Sequence, residues 1–280
     1  MHRRHVVLVG AALCGAVVAQ TTGLKPVTMQ GDVTLTRSVM SIPGMPDMDS
    51  GTVTATFRRV RGGSGAGQVP EACVVTRASA GQASPGGSAI GGGTEDVSVD
   101  AGDPITVRYA QSPYATLKRQ TVGKNITYQA ATPVPAPTAA LVVDVPGAAG
   151  GFPAFRAAAF PSSAGLKLTA PKDGAVSLET KFTWSNPTND AATHVMIVGS
   201  DERAQLAFVC TARDDGAFAF PEASRAELKR LGFRSGTLTM VGRQGTRVHR
   251  VADAQLNVHV LTIQAIMPAD ESESDTEEQE

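Results

Sequence analysis

Two cysteines are the residues of this 280-residue chain with the clearest chemical use. Of the three cysteines, Cys14 lies in a predicted leader, which leaves Cys73 and Cys210 as an even pair. An even pair in an exported protein predicts a disulfide, which would close a loop of well over about a hundred residues and contribute on the order of 4 kcal/mol. The alternative is two buried free thiols, since apolar strand residues flank both cysteines.

A second unusual group is the set of methionines in the Pro/Gly-rich segment 40–49, namely Met40, Met45 and Met48. Thioethers are soft ligands for Cu(I), whereas Asp47 and Asp49 are hard oxygen ligands for calcium. The prolines restrict convergence of the sulfurs, and the acidic spacing lacks most ligands of a calcium loop. We therefore expect the methionines to be buried or to contact a partner, with no metal site and no cofactor.

Residues for enzymatic catalysis are sparse. The mature chain has three histidines, His194, His249 and His259, without the spacing of a zinc hydrolase. The glycine-rich stretches 62–67 and 86–91 match neither a nucleophile elbow nor a phosphate loop. The sequence thus predicts a non-catalytic protein; the alternative is a secreted hydrolase whose site is assembled from distant residues.

Arginines gather at Arg58, Arg59 and Arg61, and again at Arg243, Arg247 and Arg250. They would suit a polyanion, but aromatic residues do not alternate with them as in single-strand nucleic-acid sites. We expect them to lie at solvated strand edges, with no nucleic-acid partner.

The ends of the chain differ from its body. Residues 1–19 combine two arginines, an apolar stretch too short for a membrane span and small residues before Gln20, a pattern typical of a signal peptide. Residues 268–280 are strongly acidic and predict a disordered tail. We expect a periplasmic or secreted protein without a membrane span.

The body must form elements that position these residues. With 42% hydrophobic residues, and with Gly and Pro together at 46 of 280, its composition excludes fibrous and fully disordered classes. Short alternating runs with β-branched residues predict strands in both halves. The predicted strands are 33–36, 52–58, 72–76, 95–99, 104–109, 125–129, 140–145, 166–169, 180–185, 193–199, 205–212, 236–241 and 255–260 with a continuation to 266.

The spacing predicts an all-β fold of two antiparallel, immunoglobulin-like β-sandwich modules in tandem, with one short helix. The expected domains are 24–145 and 165–267, joined by a Pro/Gly/Ala linker at 146–164. Trp184 is expected at the centre of the second module. The helix is expected at Arg225–Leu231, with Ser224 and Glu227 as a capping box and Gly232 as its stop.

A turn at Asp214-Asp215-Gly216 is expected to close a hairpin between strand 205–212 and residues 217–220. This turn lies in one of three motifs in which the chain resembles uncharacterised exported proteins of myxobacteria-like bacteria. The motifs are the V-P-G-x-x-x-G-F-P-A-F run at Val145–Phe155, the Phe-Thr-Trp strand at Phe182–Trp184 and the segment Cys210–Phe218 followed by Pro221. The resemblance covers about residues 140–262 and implies a secreted β-sandwich architecture without catalytic residues.

Together these patterns predict an exported, non-catalytic β-sandwich protein of the cell envelope or secretome that binds a protein or glycan partner through its loops. The alternatives are the hydrolase above and a periplasmic metal-binding protein that uses the Met-rich loop.

Overall fold

The computed structural model describes residues 27–40, 48–60, 71–77, 97–109, 112–132, 140–161 and 165–266. The predicted signal peptide (1–19) and acidic tail (268–280) lie outside these ranges, as do most of the Met-rich loop and Arg61. Across the described ranges, no helix has the length and apolar character needed to cross a membrane.

The described residues form seventeen strands and one helix. These are β1 (Met29–Met40), β2 (Met48–Arg59), β3 (Ala72–Arg77), β4 (Val97–Ser98), β5 (Ile105–Tyr109), β6 (Ser112–Val122), β7 (Asn125–Ala131), β8 (Leu141–Val145), β9 (Phe155–Ala159), β10 (Leu168–Ala170), β11 (Ala175–Val176), β12 (Lys181–Trp184), β13 (Thr193–Asp201), β14 (Leu206–Arg213), β15 (Ala217–Ala219), α1 (Glu222–Arg230), β16 (Gly236–Val251) and β17 (Ala254–Ala265).

Alternation of apolar and polar residues explains the long strands. In β1, Val33 and Leu35 are buried while Asp32 and Thr34 remain partly exposed. Successive side chains of a strand point to opposite faces, so such a sequence buries one face and solvates the other. The mostly β fold predicted from this pattern is confirmed.

Fourteen strands share one mixed sheet. Its main path is β3-β14-β13-β16-β17-β1-β2-β7-β6-β5-β8-β9, while β11 pairs with β16 and β4 with β2. The strands β10, β12 and β15 form a separate small sheet. The β1–β17 pair is parallel, so the expectation of purely antiparallel sheets is wrong.

Two apolar cores pack against one face of this sheet, which we call the inner face; the opposite face is the outer face. In the first core, residues such as Val33, Phe57 and Val258 pack in one cluster with Ile105 and Val143 from β5 and β8. In the second core, residues of β13, β14 and β16 cluster with side chains of the small sheet and α1. Trp184 is buried in the second core, as predicted.

Each half of the chain contributes a strand that pairs with a strand of the other half. The N-terminal strand β3 pairs with β14, whereas the C-terminal strand β17 pairs with β1. Backbone hydrogen bonding therefore runs continuously from one half into the other. Two tandem immunoglobulin-like modules are not confirmed by this topology.

Each predicted strand overlaps an observed one, but β6, β9 and the two-residue β11 were missed. In β6 only Ala115 and Leu117 are buried, and in β9 the sequence is dominated by small residues. Neither pattern carries the alternation that indicates a strand. Because β9 pairs with β8, residues 155–159 of the expected linker form part of the sheet.

Helix α1 begins three residues earlier than predicted. Pro221 precedes it and no side chain caps its first turn, so the Ser224 capping box is wrong. Ser224 is buried, and the Glu227 carboxylate instead accepts hydrogen bonds from Arg230 at 2.6 and 2.7 Å. Gly232, with φ +95°, follows the helix at the expected stop.

The Asp214-Asp215-Gly216 turn joins strands of two different sheets. β15 pairs with β12, not with β14, so the predicted hairpin is wrong. Gly216 has φ +100°, a conformation that glycine adopts without strain. The turn thereby carries the chain from the large sheet into the small one.

Candidate functional site

The two predicted disulfide partners lie directly opposite each other in β3 and β14. Their sulfur atoms are 2.02 Å apart and their Cα atoms 3.9 Å apart. These distances confirm that the two cysteines lie within bonding distance, as the predicted disulfide requires. It ties the N-terminal strand β3 to the C-terminal half of the chain.

The Met-rich segment flanks the turn between β1 and β2. Met40 and Met48 are cross-strand neighbours, 37% and 48% exposed, while Met45 and Asp47 lie outside the described residues. The Asp49 carboxylate accepts hydrogen bonds from the Arg37 Nε at 2.9 and 3.1 Å. In the part of the chain that the structure describes, no group of three or more His, Cys, Asp or Glu side chains is placed to hold a metal ion.

Arg243 is not at a solvated strand edge, which corrects the sequence-based expectation for this residue. Its side chain is 2% exposed, and its Nε lies 2.9 Å from the Asp214 Oδ2 atom. The guanidinium also donates to the carbonyls of Gly165 and Asn186 at 3.0 and 2.7 Å. The register of β16 turns this side chain toward the second core, where Asp214 offsets its charge.

Asp214 is the polar centre of the second core. Besides Arg243, it accepts hydrogen bonds from the Trp184 indole at 2.8 Å and from the Thr188 backbone and hydroxyl at 3.0 and 2.7 Å. Burial raises the pKa of this carboxyl, but these hydrogen bonds outweigh burial and hold its pKa below the ordinary value. The side chains of Asp214 and Arg243 are closed to solvent, so their pairing stabilises the second core.

The three histidines lie in strands, as expected from their context, and they do not converge. His194 is in β13, and His249 in β16 lies 3.1 Å from the Ala159 carbonyl. His259, in β17, lies on the outer face of the sheet, the face turned away from the two cores. There it belongs to a group of neighbouring polar side chains, of which Asn257 is buried and the others are partly exposed.

We call this group the polar cluster and define it as Gln30, Asp32, Arg58, Asn257 and His259. The Asn257 amide donates to Asp32 Oδ1 at 2.8 Å, and the Gln30 amide donates to both carboxylate oxygens at 3.3 Å. Arg58 lies 3.7 Å from Asp32 Oδ2. The residues come from three adjacent strands, β17, β1 and β2, whose register brings them onto one surface.

Asp32 is ionised in this environment. Partial burial raises the pKa of its carboxyl. Contacts with His259, Asn257 and Gln30, together with the charge of Arg58, lower this pKa by a larger amount, so the net pKa lies below the ordinary value. Its side chain is 25% exposed. A fixed negative charge therefore lies among amide, imidazole and guanidinium donors at the surface.

His259 also contacts the neighbouring strand β16. Its Nδ1 atom lies 2.9 Å from the Thr246 hydroxyl and 3.3 Å from the Gln244 amide, and its Nε2 lies 3.6 Å from Asp32. The order hydroxyl, imidazole, carboxylate is that of a hydrolase triad, but the Nε2–carboxylate distance exceeds a hydrogen bond. The Thr246 amide is bonded to the Ala192 carbonyl at 3.0 Å, so it offers no oxyanion site. The geometry suits binding better than catalysis.

Threonines extend the polar surface beside this cluster. Thr34 lies opposite Thr54, Thr36 opposite Thr52, and Thr56 opposite Thr127. We call these six residues the threonine grid. Within the described ranges, none of the six hydroxyls takes part in a side-chain hydrogen bond to another residue.

Sequence reasoning missed this surface. The alternation of threonine in Thr34-Leu35-Thr36 and through residues 52–56 is visible in the sequence and indicates one polar face per strand. The partners of Asp32 are not visible in this way, because Asn257 is 225 residues away along the chain.

No protein-family model, curated protein or solved structure matches this chain.

Proposed function

We propose that this chain is an exported, non-catalytic binding protein of the cell envelope or secretome, and that the outer face of its sheet binds a glycan with acidic sugars. The sequence-based hypothesis placed binding in the loops, many of which lie outside the described residues. The polar cluster and the threonine grid favour the sheet face instead. The observation that carries the proposal is the set of exposed hydroxyl and amide groups on this face, such as Thr54 and Gln129, with the basic side chains of Arg58 and Lys118 beside them.

Hydrogen-bonding capacity supports a sugar ligand. Hydroxyl groups of a sugar both donate and accept, and the threonine hydroxyls and Asn and Gln amides of this face do the same. Thr54, Thr56 and Gln129 are exposed neighbours on this face. A glycan that lies flat across the strands would meet several of these groups at once.

The charges of the face support acidic sugars. Arg58, Lys118 and Arg250 project from the outer face, as does the carboxylate of Asp32. Arg58 is already paired with Asp32, whereas Lys118 is exposed beside Gln129. Guanidinium and ammonium groups attract carboxylates, and their contribution is greatest at low salt.

Export is supported by two observations. The predicted signal peptide at 1–19 implies translocation, and a disulfide between Cys73 and Cys210 persists in an oxidising compartment. The resemblance to exported β-sandwich proteins of myxobacteria-like bacteria agrees with this location.

Calorimetric titration of residues 20–280 with a hexauronate, using a neutral hexaglucan for comparison, tests the proposal. We expect binding of the hexauronate that weakens with salt, and no comparable binding of the neutral sugar. Arg58→Ala and Thr54→Val should each lower affinity by about 5- to 50-fold, the effect of one or two lost polar contacts.

Two variants serve as matched controls. Arg230→Ala removes an arginine of helix α1, and Thr121→Val removes an exposed hydroxyl from the face of β6 opposite to that of Lys118. Both should leave affinity unchanged. Equal losses in the controls, or no binding of either sugar, would overturn the proposal, and hydrolysis of the hexauronate that disappears in Thr246→Ala would favour the hydrolase.

A further inference from the structure

The chain leaves the described residues from the middle of the large sheet. The last strand, β17, lies between β16 and β1, and its final residue Ala265 is the register partner of Met240 and Met40. Ile266 follows and packs against the second core, and its amide donates to the Thr239 carbonyl at 3.1 Å. The two cores cover the inner face, so the outer face is the solvated side of the sheet in the described ranges.

The segment that follows is strongly acidic. Residues 270–280 read DESESDTEEQE, with seven carboxylates and no basic side chain. Such a segment gains little from burial in an apolar core, because removing each carboxylate from water is costly. Its favourable contacts are therefore with cations or with basic side chains.

The outer face offers basic side chains. Arg58, Lys118 and Arg250 project from it, and we call these three residues the basic group. Arg58 is 41% exposed and lies 3.7 Å from Asp32. Arg250 is exposed and donates to the neutral amide oxygen of Gln255 at 3.0 and 3.2 Å. Among the described residues, no carboxylate is hydrogen-bonded to Lys118 or Arg250, so both charges are available to a further partner.

The acidic segment is long enough to reach this group. Register pairs join Lys118 to His259 of β17 through β7, β2 and β1, which is about 19 Å across the sheet. His259 precedes Ala265 by six residues, or about 20 Å along β17. The diagonal of about 28 Å takes about nine extended residues, whereas Glu280 is fifteen residues beyond Ala265. The other two members of the basic group are about 35 Å away, within reach of about eleven residues.

We propose that residues 270–280 dock on the basic group of the same chain and thereby regulate its glycan site. The regulation rests on the proposed function, since the carboxylates of the segment occupy the places of those of an acidic glycan. A tethered segment has an effective concentration in the millimolar range, so ion pairs that are individually weak hold it on the surface. Salt of about 0.5 M shortens the Debye length to about 4 Å and releases the segment.

Paramagnetic relaxation in residues 20–280 tests the docking without any sugar. A nitroxide on Gln279→Cys, with the disulfide left intact, should broaden the amide signals around Lys118 and Arg58 at about 20 mM salt and spare those of helix α1. The broadening should disappear at about 0.5 M salt, and also when Lys118→Glu is combined with Arg58→Glu. Arg230→Ala, in helix α1, is the matched control and should leave the broadening unchanged.

Calorimetry with the hexauronate tests the regulation. A variant in which the seven carboxylates of residues 270–280 become the corresponding amides keeps the length of the segment. This variant should bind the hexauronate about 3- to 10-fold more tightly than the wild type at about 20 mM salt, because the competing segment is lost. The gain should vanish at about 0.5 M salt.

The outcomes separate this inference from the proposed function. Signals that stay sharp, or broadening spread evenly over the chain, would overturn the docking. Docking with equal hexauronate affinity of the wild type and the amide variant would overturn the regulation. Docking without hexauronate binding by either protein would overturn the proposed function, and the regulation with it, but not the contact between the segment and the basic group.

Discussion

Both halves of the molecule link an aromatic side chain, an aspartate and an arginine, but at different depths. In the second core, Asp214 binds Trp184 and Arg243, whose side chain is 2% exposed. In the first core, Asp100 accepts a hydrogen bond from the Tyr128 hydroxyl at 2.6 Å and lies 2.9 Å from Arg119. There the arginine is 42% exposed and the aspartate 33% exposed.

The comparison shows that burial, more than residue type, sets the energetic importance of such a trio. A buried ion pair whose partner is removed leaves an uncompensated charge in a medium of low dielectric constant. An exposed pair is solvated by water in either case, so its loss has a small effect. The polar cluster around Asp32 lies between these extremes, and its remaining exposure makes it available to a ligand.

The largest expected effect follows from breaking the buried pair. Asp214→Asn should lower the free energy of unfolding by about 3–5 kcal/mol, because Arg243 is left without a counter-charge. Asp100→Asn should lower it by about 1 kcal/mol or less. Urea unfolding at pH 7, followed by far-UV circular dichroism, measures both. Equal effects of the two variants would contradict the role of burial.

The disulfide is a second difference between the two cores, because it lies at the second one. Cys210 belongs to that core, and Cys73 packs against it. The cysteines are 137 residues apart, so a bond between them restricts a long loop of the unfolded chain. Cys73→Ser with Cys210→Ser should lower the free energy of unfolding by about 2–4 kcal/mol. Thiol labelling of the denatured, unreduced wild type should find neither cysteine free; two labelled thiols would refute the bond.

A pH titration sharpens the comparison within the first core. Burial and the hydrogen bond to Asp100 raise the pKa of Tyr128 to about 12, above its ordinary value of 10.0. The stability from the neutral phenol is therefore complete below about pH 10 and declines as the pH rises toward 12. Tyr128→Phe should show a smaller loss of stability between pH 9.5 and 11.5, measured by urea unfolding. An identical loss in both proteins would argue against this assignment.

A small effect on stability is also expected at the polar cluster. Asp32→Asn should lower the free energy of unfolding by less than about 1 kcal/mol, because Arg58 is 41% exposed and water replaces the lost contact. The same variant should raise hexauronate affinity, because it removes a negative charge that repels the uronates. Thermal unfolding and calorimetry on one sample therefore separate the two roles. A destabilisation as large as that of Asp214→Asn would make Asp32 a structural residue.

The sequence by itself determined much of the local structure. Alternation predicted strands such as those containing Val33 and Val53, the pair of cysteines predicted the disulfide, and Gly232 marked the end of the helix. These features depend on near neighbours and on side-chain chemistry, which the sequence displays directly. The short helix was placed, although its start was misjudged because Pro221 begins it in the absence of a side-chain cap.

Only the tertiary structure decided which strands are neighbours. Alternation tells which side chains of a strand share a face, but it does not tell which strand lies beside it. Asp32 meets Asn257 and His259 because β1 pairs in parallel with the last strand, and Arg243 meets Asp214 because the register of β16 turns it inward. The candidate sites thus arise from pairings between distant residues, whose partners are chosen by the packing of the whole sheet.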